Sequence, residues 1–415
     1  MQFARNITIA SKIFKRHRTR TVLSVLGITI GIMSVIAIIN AGESLKQFIM
    51  NQVEVFGTDY IEVEVKVPNT SQQSTANAGG LAQGIEITTL KIQDADKIKE
   101  HPNISHVYSA VLGQEIISYQ GQNKVGMLWG VTDGFFEIDK SNIEYGRAFT
   151  DQEDKSLAQV VILGNKIKQD LFGDEDALGK RITINQRKFK VIGVRENIGM
   201  GTFMNFDDMI IMPLRTLQKK IQGIDYITFI MASVKNMDNV DQTTADIISI
   251  MRAEHEITDQ NKDDFAVMSS REAMAMMDTI FNGLTIFLVA IAAISLIVGG
   301  VGVMNIMYVS VLERTYEIGL RKSVGAKNSD ILEQFLGEAI LITSLGGAVG
   351  VILGIFLTLI ISLAASSQGF AIGFVVSIPG IFAAVIFMIF TGLFFGIYPA
   401  KHAAALDPVE ALRYE

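Results

Sequence analysis

The stretch that decides the fold is residues 339–400, AILITSLGGAVGVILGIFLTLIISLAASSQGFAIGFVVSIPGIFAAVIFMIFTGLFFGIYPA, where 62 consecutive residues include no Asp, Glu, Lys or Arg. A helix needs about 20 apolar residues to cross a hydrocarbon core of roughly 30 Å. The run therefore holds two spans, 339–363 and 374–399, divided by the polar turn Ser366-Ser367-Gln368-Gly369. Two more charge-free runs lie upstream, 21–42 with 22 residues and 279–312 with 34. Each holds one span, so the chain is expected to cross a membrane four times. Its 49% hydrophobic and 19% charged composition fits that class.

Orientation is read from the basic residues near the span ends, because basic loops stay on the cytoplasmic side. Residues 1–20, an amphipathic segment, carry six Lys or Arg and no acid, and the loop 313–338 carries Arg314, Arg321, Lys322 and Lys327. The tail 400–415 adds Lys401 and Arg413, while the loop between the last two spans has none. Both termini are therefore expected in the cytoplasm of a bacterial inner or plasma membrane, with residues 43–278 outside it. Those external residues are acidic in balance, and the rest of the chain is net basic within an overall charge of −7. That polarity disfavours a nucleic-acid partner. The first span has a basic flank but no small-x-small cleavage site before Glu43, and reads as an uncleaved signal anchor. Cysteine is absent, so the external domain must be held by its own core.

Glu43–Phe56 keeps a helical period and is followed by Gly57 as a stop, while Arg271–Asp278 reads as a helix entering the second span; these are two stalks. Between them Tyr60–Val67 alternates as a strand, Pro68–Gly84 reads as a mobile polar loop, and Thr88 or Thr89 caps a helix reaching Glu100. Short strands are expected at 107–111, 115–119, 125–130, 160–163, 181–184, 189–194, 209–212 and 226–234, with a helix at 240–255. The predicted fold class is four transmembrane helices plus an α+β external domain. That domain has a discontinuous α/β porter-like part, 58–114 and 221–270, and an inserted β-rich part, 115–220.

Enzymatic chemistry is sparse. The nearest approach to a phosphate-cradling loop, Gly173–Arg181, has its glycines one residue too far apart and Arg181 where a hydroxyl is needed. Five histidines without cysteine or an H-E-x-x-H pattern offer no metal centre, and His101 and His106 read as surface residues. No G-x-S-x-G elbow occurs, and no span holds Asp or Glu for a proton relay.

Glycines recur at four-residue spacing within the spans: Gly27 and Gly31, then Gly346, Gly350 and Gly354, then Gly392 and Gly396. Small residues at that spacing let helix backbones approach closely. The packing is within one set of four helices or between protomers, and spacing does not choose. Gly299, Gly300 and Gly302 offer a close contact or a flexible point, and Asn305 an interhelical hydrogen bond. The loop LERTYEIGLRKSVGAKNSDILEQFLG, 312–337, reads as a short helix, a Gly325 turn and a second helix capped by Asn328 or Ser329. It is either an interfacial helix that snorkels its cations to lipid headgroups, or a docking helix. In the second case Ile318 and Leu320 are anchors and Glu313, Arg314, Glu317 and Arg321 a polar rim.

At this loop the chain resembles the permease family of the macrolide exporter MacB and of FtsX. The run E-R-x-x-E-I-G-x-R-x-x-G-A falls on Glu313, Arg314, Glu317, Ile318, Gly319, Arg321, Gly325 and Ala326, followed by Gln334, Phe335, Leu336 and Glu338. The C-terminal Pro399-Ala400, Ala403-Ala404, Leu406, Pro408 and Glu410–Arg413, the opening Arg20-Thr21 with Leu26–Ile28 and Gly31, and Gly130-Val131, Gly146-Arg147 and Val191–Val194 in the insert extend the likeness. Ala177-Leu178 departs from it, where relatives often have proline.

The resemblance implies a non-catalytic permease subunit, a homodimer or a heterodimer with a related permease, that binds no cofactor itself. ATP and Mg are expected on a separate ABC ATPase, since the macrolide exporter carries its ATPase ahead of the first span and this chain begins almost at the membrane. The coupling residues would be Glu313, Arg314, Glu317, Ile318, Gly319, Leu320, Arg321, Lys322, Gly325 and Ala326. Function would be efflux of drugs, peptides or other amphiphiles by mechanotransmission, with an extracytoplasmic adaptor. Lipoprotein release and FtsX-like regulation of a cell-wall hydrolase are the alternatives, and an isolated membrane enzyme is the least supported.

Overall fold

The computed structural model describes residues 18–54, 59–68, 87–139, 142–197, 206–367 and 372–413. The basic N-terminal segment before residue 18, the Gly57 stop, most of the polar loop after Pro68 and the Gln368-Gly369 part of the last turn lie outside the described residues. In chain order the main elements are α1 (Arg18–Glu54), β1 (Tyr60–Val65), α2 (Ile92–Lys99), β2 (Ile104–Tyr119), β3 (Gln122–Val131), β4 (Ile143–Gly146), β5 (Val160–Leu163) and α3 (Asn165–Phe172). There follow β6 (Arg181–Ile184), β7 (Arg187–Arg195), β8 (Met209–Pro213), β9 (Phe229–Val234), α4 (Val240–Glu254), β10 (Phe265–Ser269) and α5 (Ser270–Glu313). The chain closes with α6 (Thr315–Ser323), α7 (Asn328–Ser367), α8 (Ile378–Ala405) and α9 (Pro408–Leu412).

The chain divides into two compact units, one of the residues up to Phe48 and from Asp278 onward, the other Ile49–Met277. In the first unit four helices are long and apolar enough to cross a membrane. They outlast the charge-free runs. Helix α5 has 44 residues, about 66 Å at ~1.5 Å per residue, so the expected stalk Arg271–Asp278 and the second span are one helix. Helix α7 starts at Asn328, inside the expected loop, and α8 passes Pro399 to end at Ala405. The start of α7 is capped by Asp330, whose carboxylate accepts from the Lys327 N–H at 3.0 Å, and not by Asn328 or Ser329. Gly325 makes its turn with φ +101°, a left-handed conformation that glycine adopts without a Cβ penalty.

The second unit is built on a ten-stranded mixed sheet in the order β10-β1-β9-β2-β3-β8-β5-β7-β4, with β6 paired to β2 and β7. Alternation in β1 sends Ile61, Val63 and Val65 into the larger core, beside Ala95 and Ile98 of α2 and Ile247 and Met251 of α4. Tyr60 joins a second, aromatic-rich core on the opposite face with Tyr108, Trp129 and Phe135. The sheet does not break at residue 115, where the insert is expected to begin. Strand β2 runs through it for 16 residues, joining the two strands read at 107–111 and 115–119. Gly113 sits at that junction, where a sequence reading sees a strand end; each of its neighbours nevertheless pairs with β3. The helix at 92–99 starts later than the Thr88 or Thr89 cap implies. Asp94 accepts from the Lys91 N–H at 2.7 Å, while Thr89 hydrogen-bonds the Asp264 carboxylate. Strands β4 and β10 and helix α3 are elements that the sequence reading does not include.

Candidate functional site

The resemblance-derived coupling residues gather at one end of the first unit, where α5 stops and α6 begins. Arg314 breaks the helix between them, and its Nη1 donates to both carboxylate oxygens of Glu338, at 3.0 and 3.2 Å. Only 2% of the Glu338 side chain is exposed, against 21% for Arg314. A carboxylate buried to that degree requires a cation or donors around it. Gln334 supplies another donor to Oε1 at 3.3 Å, and its own Oε1 accepts from Arg321, which also pairs with Glu317. Thr315 Oγ1 donates to the Val311 carbonyl at 3.1 Å, tying the first turn of α6 to the end of α5.

From the other side, Lys322 Nζ donates at 2.7 Å to the carbonyls of both Ala404 and Leu406, at the C-terminus of α8, where a cation also meets the negative end of the helix dipole. Gly319 lies so close to α9 that an added Cβ would stand 2.8 Å from the Ala411 Cβ. Ala326 packs against the apolar core of the unit. Helix α6 is thus held to α7, α8 and α9 by ion pairs, carbonyl contacts and a glycine approach.

This arrangement corrects the expected division into anchors and rim. Ile318 is 2% exposed and belongs to the core with Phe335, Ala400 and Ala403, so it cannot be a surface anchor. Arg314 is turned inward to Glu338 and not toward a rim. The outward apolar stripe is Tyr316 and Leu320 on α6 and Val324 at its C-cap, exposed by 57%, 49% and 81% and spaced i, i+4, i+8. Glu313 and Glu317 are exposed beside it. The helical period alone could have revealed the stripe.

All seven glycines of the four-residue patterns face neighbouring helices of the same chain. Gly27 and Gly31 of α1 meet Gly299 and Leu296 of α5; Gly346, Gly350 and Gly354 of α7 meet Val25, Thr29, Ile32 and Ile36 of α1. Gly392 and Gly396 of α8 meet Ile340, Thr343 and Ala339 of α7. Thr29 Oγ1 donates at 3.0 Å to the Gly346 carbonyl, a contact that a side chain at 346 would push apart.

In the second unit three polar groupings escaped sequence reading. His255 has Nδ1 2.9 Å from Asp264 and Nε2 3.4 Å from Asp94, and its side chain is 7% exposed. Those carboxylates push its pKa up to about 9 against the desolvation that would lower it. Glu62 of β1 is carried the same way, to about 7, by burial and by the neighbouring Glu64. Asp139 and Arg195 form a pair at 2.9 Å with 3% and 4% of their side chains exposed. His101, read as a surface residue, instead packs with 13% exposure and Nε2 3.2 Å from Asp246. No group of three or more His, Asp or Glu among the described residues is placed to hold a metal ion.

Two known families cover most of the chain. The MacB-like periplasmic core domain matches residues 21–250, and the FtsX-like permease C-terminal region matches 289–408. A macrolide export ATP-binding/permease protein MacB of Wolinella succinogenes is 34% identical over 98% of this chain and 60% of its own length. That of Chlorobaculum tepidum is 36% identical over 96% of this chain and, again, 60% of its own. The chain therefore spans about 60% of the curated relatives it matches. Among solved structures, the periplasmic region of MacB from Actinobacillus actinomycetemcomitans is 22% identical with a TM-score of 0.46, covering 55% of this chain and 97% of that one. The extracellular domain of YknZ, a noncanonic ABC-type transporter of Gram-positive bacteria, is 20% identical with a TM-score of 0.40, covering 51% and 100%.

Proposed function

This chain belongs to the MacB-like ABC permease family, a multi-pass membrane group, and we propose that it is the permease of an exporter that expels amphiphiles from the external unit. In this reading an ABC ATPase, carried by sequence outside these 415 residues, binds ATP and Mg and docks on α6. The termini and the α6 loop face the cytoplasm, two permease chains pair, and an extracytoplasmic adaptor receives the cargo. Movement passes along α5 and α1, whose continuous helices run beyond the charge-free spans.

The observation that carries the reading is the stripe Tyr316, Leu320 and Val324, displayed on a nine-residue helix and its C-cap residue, which Arg314, Lys322 and Gly319 hold from behind. A helix pinned on one face and apolar on the other suits insertion into a groove, with alternate turns as anchors. A lone amphipathic helix free to lie in the headgroups would not need a buried ion pair at its root.

The test is Leu320→Asp with Val324→Asp in the full-length protein, purified from its native membranes. Loss of the co-purifying ATPase, with membrane insertion unchanged, is the expected outcome. An ATPase that still co-purifies in the normal ratio would rule out docking at α6.

A further inference from the structure

A cavity of about 320 Å³ opens in the second unit between α2 and the segment that follows β3. Asp96 and Lys99 stand on its α2 wall, Asp133 opposite, and Asp151, Lys155 and Arg215 also line it. Ser109 of β2 forms its floor. Strand alternation sends Val107 and Val111 into the core that holds α2, and Tyr108 and Ala110 into the aromatic core on the other face. Ser109 shares the α2 side, so its side chain points at the cavity. It is 1% exposed, and its Oγ has no hydrogen-bond partner. Its N–H, by contrast, is satisfied by Thr132 Oγ1 at 3.1 Å. A buried hydroxyl without a partner is uncommon and marks a place where a polar ligand can complete the site.

The charges select the ligand. Lys155 is neutralised by Asp151 at 2.6 Å, and Arg215 by the buried Asp154 at 2.9 Å. Among the described residues Asp96, Asp133 and Lys99 form no ion pair, which leaves two carboxylates and one ammonium facing a single space. A simple anion would meet two like charges. A divalent cation would meet Lys99, and no metal-holding group of side chains is present among the described residues. The volume lies at the small end of the roughly 300–1,000 Å³ of ligand pockets.

We propose that this cavity binds a small zwitterion of dipeptide size. Asp96 and Asp133 would take its free ammonium, Lys99 its carboxylate, and Ser109 an amide or hydroxyl between them. The site is independent of the docking face on α6.

The experiment uses the full-length protein in lipid nanodiscs and radiolabelled L-alanyl-L-alanine in equilibrium binding. Saturable binding at one site per chain is expected, weakened at least about tenfold by Asp96→Asn or Asp133→Asn, as for hydrogen bonds to charged groups. Ser109→Ala should weaken it about two- to tenfold without lowering the thermal midpoint of the unliganded protein. Lys99→Gln should weaken dialanine but leave the binding of dialanine amide unchanged, because the amide has no carboxylate to lose. Absence of saturable binding up to about 10 mM, a range that would detect even millimolar affinity, overturns the proposal. So does N-acetyl-dialanine binding as well as dialanine, or undiminished binding by the Asp96→Asn variant, whose position on the exposed side of α2 spares the fold.

Discussion

Arg314 reaches both oxygens of Glu338 with the same nitrogen, at 3.0 and 3.2 Å, in a setting where the Glu338 side chain is 98% withdrawn from solvent. The pair lies between residues 24 apart in sequence and ties the root of α6 to α7. Removing one partner leaves a buried charge, which is destabilising by about 3–5 kcal/mol, whereas replacing both by apolar groups is often nearly neutral. Arg314→Leu should therefore lower the thermal midpoint sharply, and Arg314→Leu with Glu338→Leu should restore it. If the single and double variants melt alike, the pair is not what holds α6.

The same double variant separates stability from coupling. Under the proposed function, cargo-stimulated ATP hydrolysis by the assembled transporter should still fall with the midpoint restored, since the charged tie between the root of α6 and α7 is gone while the remaining contacts of α6 stay in place. Normal stimulation in the double variant would assign the pair a purely structural part.

His255 predicts an alkaline weakening of the second unit. Its pKa is raised from 6.5 to about 9 by Asp264 and Asp94, so its contribution is complete below about pH 6.5 and disappears as pH rises through about 9. The shift corresponds to roughly 3 kcal/mol at most. Urea unfolding of the full-length protein between pH 6 and 10 should show the loss, and His255→Gln should flatten it while lowering stability at pH 6. A flat wild-type profile would remove the charge clamp from the account.

Glu62 acts earlier on the same axis. Burial and Glu64 raise its pKa from 4.5 to about 7, so the folded state favours its protonated form and loses stability as pH climbs from about 4.5 to about 7. Glu62→Gln should stabilise the protein above pH 7, by about 1–3 kcal/mol, and change little near pH 4. Equal effects at both pH values would contradict this assignment.

Gly27 and Gly299 test the span packing. A Cβ on Gly27 would lie 2.9 Å from the Gly299 Cα, and one on Gly299 2.7 Å from the Ile28 nitrogen. Neither contact involves a flexible side chain, so Gly27→Ala should separate α1 from α5 and lower the thermal midpoint. Gly337→Ala, in α7 with nothing within 4 Å of the added methyl, should leave it unchanged or raise it, with up to about 1 kcal/mol of added stability. A Gly27→Ala midpoint equal to that of Gly337→Ala would place these glycines elsewhere than in this contact.

The four spans were legible because membrane crossing is written locally: about 20 apolar residues suffice whatever their neighbours do. Strands such as Val160–Leu163 and Arg181–Ile184, and the helix from Val240, were legible for the same reason, their periodicity being their own. The run from Glu313 to Ala326 was legible as a motif, since motif spacing is also linear. What the tertiary structure alone decided was partnership. Sequence spacing could not assign Glu338 to Arg314, or tell whether Gly27 meets Gly299 or a second chain. It could not show that Ile318 turns inward while Tyr316 and Val324 turn out. Nor could it join β1, β9 and β10 to the insert in one sheet, because strand register is set between segments as far apart as Ile61 and Ser269. Cavity and clamp share this dependence: Ser109, Asp133 and Lys99, like His255 and Asp94, acquire their chemistry only when folding brings residues distant in sequence together.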